Sequence, residues 1–162
     1  MVIDNYIYHH QNYNNELQLL RFDTYTGKNY SVNNVNLDTM DWETNYALGD
    51  DNKLYVITLA EKKFVEENSD GANIKKDYIH SLEALDLKTL SSKKLFDFEK
   101  NVECEILAVY KNKAYIGKRD KEYKTTVYEL DLETKIEKKI FEESYGISIF
   151  NGIGIYDGKP YI

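Results

Sequence analysis

Between Ile106 and Phe141 the chain reads as four short apolar runs divided by three turn signals. It begins ILAVY (106–110), turns at Lys111-Asn112-Lys113 and resumes with AYIG (114–117). It then crosses a charged loop, continues with VYELDLET (127–134) and ends in KIEKKIF (135–141). Runs of this length between such turns predict a four-stranded antiparallel meander. The same pattern recurs before and after this stretch. LYVI (54–57) and ILAVY are apolar throughout, as strands covered on both faces read. The last run of each unit, Lys93–Phe98 and Ile136–Phe141, mixes charged with apolar residues, which suits an outer strand. The pattern therefore predicts an all-β chain of antiparallel four-stranded units.

Two alternating anchors define the unit. The first is a turn followed by tyrosine, [Asn/Gly]-x-x-Tyr, at Asn5–Tyr8, Asn52–Tyr55, Asn112–Tyr115 and Gly158–Tyr161. The second is [Phe/Leu]-Asp-x-x-Thr, centred on Asp23, Asp86 and Asp131. From Asp23 to Tyr55, Asp86 to Tyr115 and Asp131 to Tyr161 the spacing is 32, 29 and 30 residues. From Tyr8 to Asp23, Tyr55 to Asp86 and Tyr115 to Asp131 it is 15, 31 and 16, so one unit is long by a single insertion. A period of about 45 residues with four strands is the signature of β-propeller blades. In each Asp-x-x-Thr the carboxylate is placed to accept backbone N–H groups in a tight turn, and Gly27 suits a left-handed position.

These motifs resemble the YVTN-type and quinoprotein-like propeller repeats, and more loosely the WD40-like and kelch classes. The resemblance rests on Asp157–Ile162, Asp51–Val56 and Phe22–Gly27, which follow a pattern like D-G-K-x-x-Y-V and a strand ending L-D-x-x-T-G. It covers nearly the whole chain. It implies a fold superfamily and no activity, since there is no WD dipeptide, no kelch double glycine and no quinone-ligand set.

At this period the 162 residues form one partial propeller domain of about three and a half blades. The units run about 1–32, 45–98 and 106–141, with a fourth starting over 147–162. Closed propellers need about 4–8 blades. Either a longer chain has been truncated, the preferred expectation, or further copies of the chain complete the ring as a homo-oligomer. An open end of such an array would expose an apolar face and a sheet edge.

Composition narrows the partners. The net charge is −7 and the isoelectric point about 5, which argues against nucleic acid and anionic membranes. The 15 tyrosines suit half-buried strands. The single cysteine, Cys104, forms no intrachain disulfide, and its neighbours Glu103 and Glu105 disfavour a thiolate nucleophile. Cytoplasmic residence fits if the N-terminus is native, since Met1–Asp4 starts no apolar signal region and no apolar run approaches a membrane span.

Candidate chemistry is sparse. His9 and His10, with Tyr13, are expected in the loop between the second and third strands of unit one. Two adjacent histidines do not make a metal site without further ligands at suitable spacing, and in a strand they would point to opposite faces. Trp42 is either a platform for a sugar or peptide or a plug at a blade junction. Asp38, Asp41 and Glu43 form an acidic cluster without the glycine or ligand rhythm of a calcium loop. The insertion over 61–77 (EKKFVEENSDGANIKKD) is expected as a loop, with a short helix over 59–67 as an alternative. Residues 118–124 form a locally basic loop containing Tyr123. No cofactor and no metal are implied. Gly152-Ile153-Gly154 lacks the third glycine and following helix of a dinucleotide fingerprint.

By analogy with propellers, the loops between second and third strands and those linking one unit to the next share one face around the channel. That face would gather His9, His10, Tyr13, Asp41, Trp42, the 61–77 insertion and Tyr123, with the six named residues as ligand-binding residues. The leading expectation is a non-catalytic interaction module that binds a protein, small ligand or glycan there. The alternatives are a glycan-active hydrolase or lyase using the Asp38/Asp41/Glu43 carboxylates, and a purely structural self-assembling half-propeller.

Overall fold

The structure, a computed structural model, describes residues 2–3, 5–13, 16–36, 46–68, 71–120, 122, 124–142, 154–156 and 159–161. Every described element is a β-strand, and every pairing is antiparallel between neighbours in sequence. Sheet 1 contains β1 (Val2–Ile3), β2 (Tyr6–Tyr13), β3 (Glu16–Asp23) and β4 (Lys28–Asn36). Sheet 2 contains β5 (Tyr46–Leu48), β6 (Lys53–Asn68), β7 (Gly71–Asp86) and β8 (Ser92–Asp97). Sheet 3 contains β9 (Glu103–Tyr110), β10 (Lys113–Arg119), β11 (Thr125–Asp131) and β12 (Glu137–Glu142). A two-stranded pair follows, β13 (Gly154–Tyr156) with β14 (Lys159–Tyr161). The meander read over Ile106–Phe141 is sheet 3.

The sheets stack face to face through their alternating residues. On one face of sheet 2, Leu54, Val56, Leu85 and Leu87 pack with Tyr8 of sheet 1. On the other, Tyr55, Ile57, Leu82 and Ala84 pack with Ile106, Ala114, Ile116 and Leu130 of sheet 3. Sheet 2 is thus buried on both sides, which explains why LYVI does not alternate. The far face of sheet 3 holds a smaller cluster of Leu107, Tyr115 and Val127. The far face of sheet 1 carries Ile7, His9, Leu20 and Phe22. The register pairs Ile7 with Phe22 and His9 with Leu20, on the side opposite Tyr8 and Arg21.

One turn geometry closes the third and fourth strands of all three sheets. Asp23 Oδ1 accepts the backbone N–H of Tyr25 and Thr26, at 2.9 and 3.1 Å. Asp86 does the same for Lys88 and Thr89, and Asp131 for Glu133 and Thr134, all at 2.8–2.9 Å. Four residues beyond each aspartate the backbone turns left-handed, at Gly27 (φ 68°), Leu90 (φ 59°) and Lys135 (φ 63°). Only the first of the three is the glycine that geometry favours. Nine residues beyond the aspartate, the fourth strand of sheets 2 and 3 carries an extra residue, Leu95 or Ile140, as a bulge.

The turn hydrogen bonds hold all three carboxyls below the usual aspartate range. The largest contribution comes from the Thr26 hydroxyl at Asp23, and from the backbone N–H of Thr89 and Thr134 at Asp86 and Asp131. A depressed folded value stabilises the fold above the unfolded aspartate pKa of about 4, and that stability is lost as pH falls through the lower folded value. Because the turns face solvent, the contribution of each is small. Asp86→Asn keeps an acceptor oxygen but removes the titration. Its urea midpoint is therefore expected to fall less than the wild type's on acidification below about pH 4. Parallel acid limbs for the two proteins would refute this role of the carboxylate.

Candidate functional site

The insertion predicted as a loop is a β-ribbon. β6 and β7 pair without a break from Lys53↔Asp86 to Asn68↔Gly71, so the extra residues of unit two lengthen both strands. Neither a loop over 61–77 nor a helix over 59–67 is present. Beside this ribbon, β5 reaches only to the Tyr46↔Val56 pair and β8 only to Asp97↔Ser81. Beyond them, among the described residues, the ribbon runs on as two strands. A two-stranded hairpin alone is marginally stable in water, so its base requires support.

That support comes from the β8–β9 turn. Phe98 N–H donates to His80 O at 2.9 Å, and Asn101 N–H to Tyr78 O at 3.0 Å. The Asn101 side chain completes the clasp. Its Oδ1 accepts the Tyr78 N–H and its Nδ2 donates to Asp77 Oδ1, each at 3.0 Å. Lys100 approaches Asp77 at 3.6 Å. Asn101 sits at φ 59°, a left-handed conformation that asparagine tolerates better than most residues. His80 is buried, with Nδ1 2.9 Å from Val102 O and the Tyr78 ring edge-on at 5.3 Å. A carbonyl only accepts, so Nδ1 carries the proton. Nothing in the local sequence marks His80 as an anchor. Asn101 is visible only as a polar residue between two strands.

Of the residues predicted for a binding face, the described structure places His9, His10 and Tyr13 on β2. His9 and His10 lie on β2 paired with Leu20 and Leu19, and Tyr13 is paired with Glu16 at the far end of the β2–β3 hairpin. They extend a strand pair instead of forming the expected loop. Polar residues can continue a strand when a partner supplies the ladder. Asp41, Trp42 and Tyr123 lie outside the described residues, as do Asp38 and Glu43.

The basic stretch from Lys118 is also reassigned. Lys118 and Arg119 end β10. Lys118 is buried, with Nζ 2.7 Å from Glu137 Oε2 and above the rings of Tyr128 (4.7 Å) and Phe98 (5.5 Å). Arg119 pairs with Glu103 at 3.5 Å, and Lys124 pairs with Glu142. Close by, Cys104 is buried. Burial, the largest effect, pushes its thiol up to about 12, which makes it a poor nucleophile. Among the described residues no group of three or more His, Cys, Asp or Glu could hold a metal ion. No helix among them is long and apolar enough to cross a membrane.

At the end of β6 and β7 opposite the ribbon tip, a groove of about 430 Å³ opens between sheets 1 and 2. Tyr6, Tyr8, Arg21, Asp51, Lys53 and Lys88 line it. The Arg21 guanidinium lies over Tyr6 (4.4 Å) and Tyr30 (5.0 Å) and donates to Leu87 O at 3.2 Å, so it ties the two sheets together. Lys53 is ion-paired to Asp51 at 2.5 Å, and the Tyr55 hydroxyl donates to the same carboxylate at 3.1 Å. Lys53 and Asp51 thus answer each other, whereas Arg21 Nε is buried without a hydrogen-bond partner.

No known protein family, curated protein or solved structure matches this chain.

Proposed function

We propose that the chain forms consecutive blades of a β-propeller and serves as a non-catalytic interaction module, with the projecting β6–β7 ribbon as its binding element. The observation that carries the reading is the unbroken pairing of β6 and β7 past both flanking strands. Beyond the clasp at Asp77–His80, each edge of the ribbon offers main-chain N–H and C=O groups that no strand among the described residues pairs. Such an edge accepts an extended segment as an added strand. The ribbon's lysines and glutamates, EKKFVEEN against GANIKKDY, discourage indiscriminate edge pairing while leaving room for a chosen partner. The propeller arrangement is supported by the face-to-face order of three meander sheets and by the recurring aspartate turn.

A binding role also agrees with how the reactive groups are used. The turn aspartates hold backbone N–H groups, Cys104 is buried, and Lys118 is engaged by Glu137. The alternative glycan-active reading depends on Asp38, Asp41 and Glu43.

The test shortens the ribbon to the length of β10–β11 by replacing residues 61–78 with a tight turn. Intact and shortened proteins are applied to arrays of extended peptides and of neutral glycans. The expected result is peptide binding by the intact chain and its loss in a shortened chain that retains its strand signal in circular dichroism. Equal binding by both proteins would remove the ribbon from the site. Glycan turnover abolished by Asp41→Ala would replace the binding reading with the enzymatic one.

A further inference from the structure

The two sheet interfaces inside this chain are built from matching positions. Taking the tyrosine anchors as equivalent, Ile7 of sheet 1 corresponds to Leu54 of sheet 2 and Ala114 of sheet 3. His9 corresponds to Val56 and Ile116, and Phe22 to Leu85 and Leu130. In sheets 2 and 3 these six residues are completely buried (0% exposed) against the sheet before them. In sheet 1, Ile7, His9 and Phe22 remain partly exposed, and none belongs to any of the three hydrophobic clusters of the described residues. Where sheets 2 and 3 carry Glu83 and Tyr128, sheet 1 carries Leu20, which offsets the imidazole of His9 at the position of Val56 and Ile116. At the other end of the stack, β13 lies against β9 and pairs, among the described residues, only with β14. Tyr161 of β14 stands at the sequence position of Tyr8 and Tyr55, the two residues that pack onto the following sheet.

We propose that the open face of sheet 1 is a docking surface for a second copy of this chain, which seats its β13–β14 end there, head to tail. The chain already makes this contact twice, between sheets 1 and 2 and between sheets 2 and 3. The front of sheet 1 has the shape and chemistry that receives a preceding sheet, and β13–β14 of another copy supplies one. Such an interface is heterologous: each copy contributes a different surface, and both surfaces recur along the assembly. The proposal extends the stacking of sheets and is independent of the ribbon, so either reading can fail alone.

The experiment is the solution mass of the 162-residue chain by sedimentation and light scattering over a wide range of concentration, with hydrogen exchange measured in parallel. The expected mass is that of two or more chains. Exchange is expected to slow with concentration in β2–β3 and in β13–β14 together. Phe22→Asp should weaken association at least ~30-fold while the strand signal and urea midpoint stay near those of the wild type. Tyr25→Asp, on an exposed turn, should leave association unchanged. Should Phe22→Asp fail to fold, the exchange pattern of the wild type still decides. A single-chain mass at every concentration would overturn the proposal and assign the face to a segment of a longer chain or to a different protein. Protection confined to β2–β3 would also overturn it, because that is the mark of a symmetric head-to-head pair.

Discussion

Leu85→Ala is expected to lower the unfolding free energy by about 2–5 kcal/mol. Leu85 is completely buried between sheets 1 and 2 with Leu54, Val56, Leu87 and Tyr8. It pairs with Leu54 on β6 and Ser92 on β8, so its backbone is held on both sides. The neighbouring strands therefore cannot collapse into the space left by the lost methyl groups, which puts the cost toward the upper part of the range. A useful comparison is Ile136→Ala. Ile136 is 66% exposed in the β11–β12 turn, and its replacement should change stability by no more than about 0.5 kcal/mol. Urea titrations of both variants check the packing directly. A Leu85→Ala midpoint no lower than that of Ile136→Ala would mean that sheets 1 and 2 do not pack as described.

The second large effect concerns Lys118 and Glu137. Both are largely out of solvent, with side-chain exposures of 9% and 21%. Glu137 Oε1 is buried without a hydrogen-bond partner, so the pair is only partly satisfied. Removing one member leaves the other charge desolvated, and Glu137→Leu alone is expected to cost about 3–5 kcal/mol. Replacing both, as Lys118→Met with Glu137→Leu, removes both desolvation penalties and the orphaned oxygen. The methionine puts an uncharged side chain of similar length beside Phe98 and Tyr128, over whose rings the Lys118 Nζ lies. The double variant should lie within about 1 kcal/mol of the wild type or above it. A double-mutant cycle measures this coupling. Additive losses would show that the ion pair is not the buried unit described.

The strand plan was legible where side-chain chemistry and backbone need coincide. Asp-x-x-Thr announces its turn because an aspartate can accept two backbone N–H groups two and three residues on, and all three examples do so. LYVI and ILAVY announce doubly covered strands because both of their faces are apolar. The β6–β7 ribbon was hidden for the opposite reason. Its outer half is rich in Glu, Lys and Asn, residues with little intrinsic strand preference, and the cross-strand ladder decides its conformation. The β2–β3 extension through His9, His10 and Tyr13 was missed in the same way. Lys118 reads as surface because a lone charge in sequence carries no sign of the carboxylate and two rings that meet it in space. Of the candidate site, the sequence located the insertion but not its form, and the clasp of Asn101 and His80 was invisible because its hydrogen bonds run largely to main-chain groups.

The strict neighbour-to-neighbour order of β5–β6–β7–β8 and its counterparts also bears on how the chain acquires its structure. Each strand finds its partner across a short connection, so a sheet forms without closing a long loop first. For an all-β chain this is a topology of low sequence separation, which favours rapid formation of each unit. The slower event is then the docking of one finished meander on the next, and Tyr8, Leu54 and Leu85 lie at that step. Substitutions there should change the folding rate, whereas changes in the turns and at the ribbon tip should act mainly on unfolding.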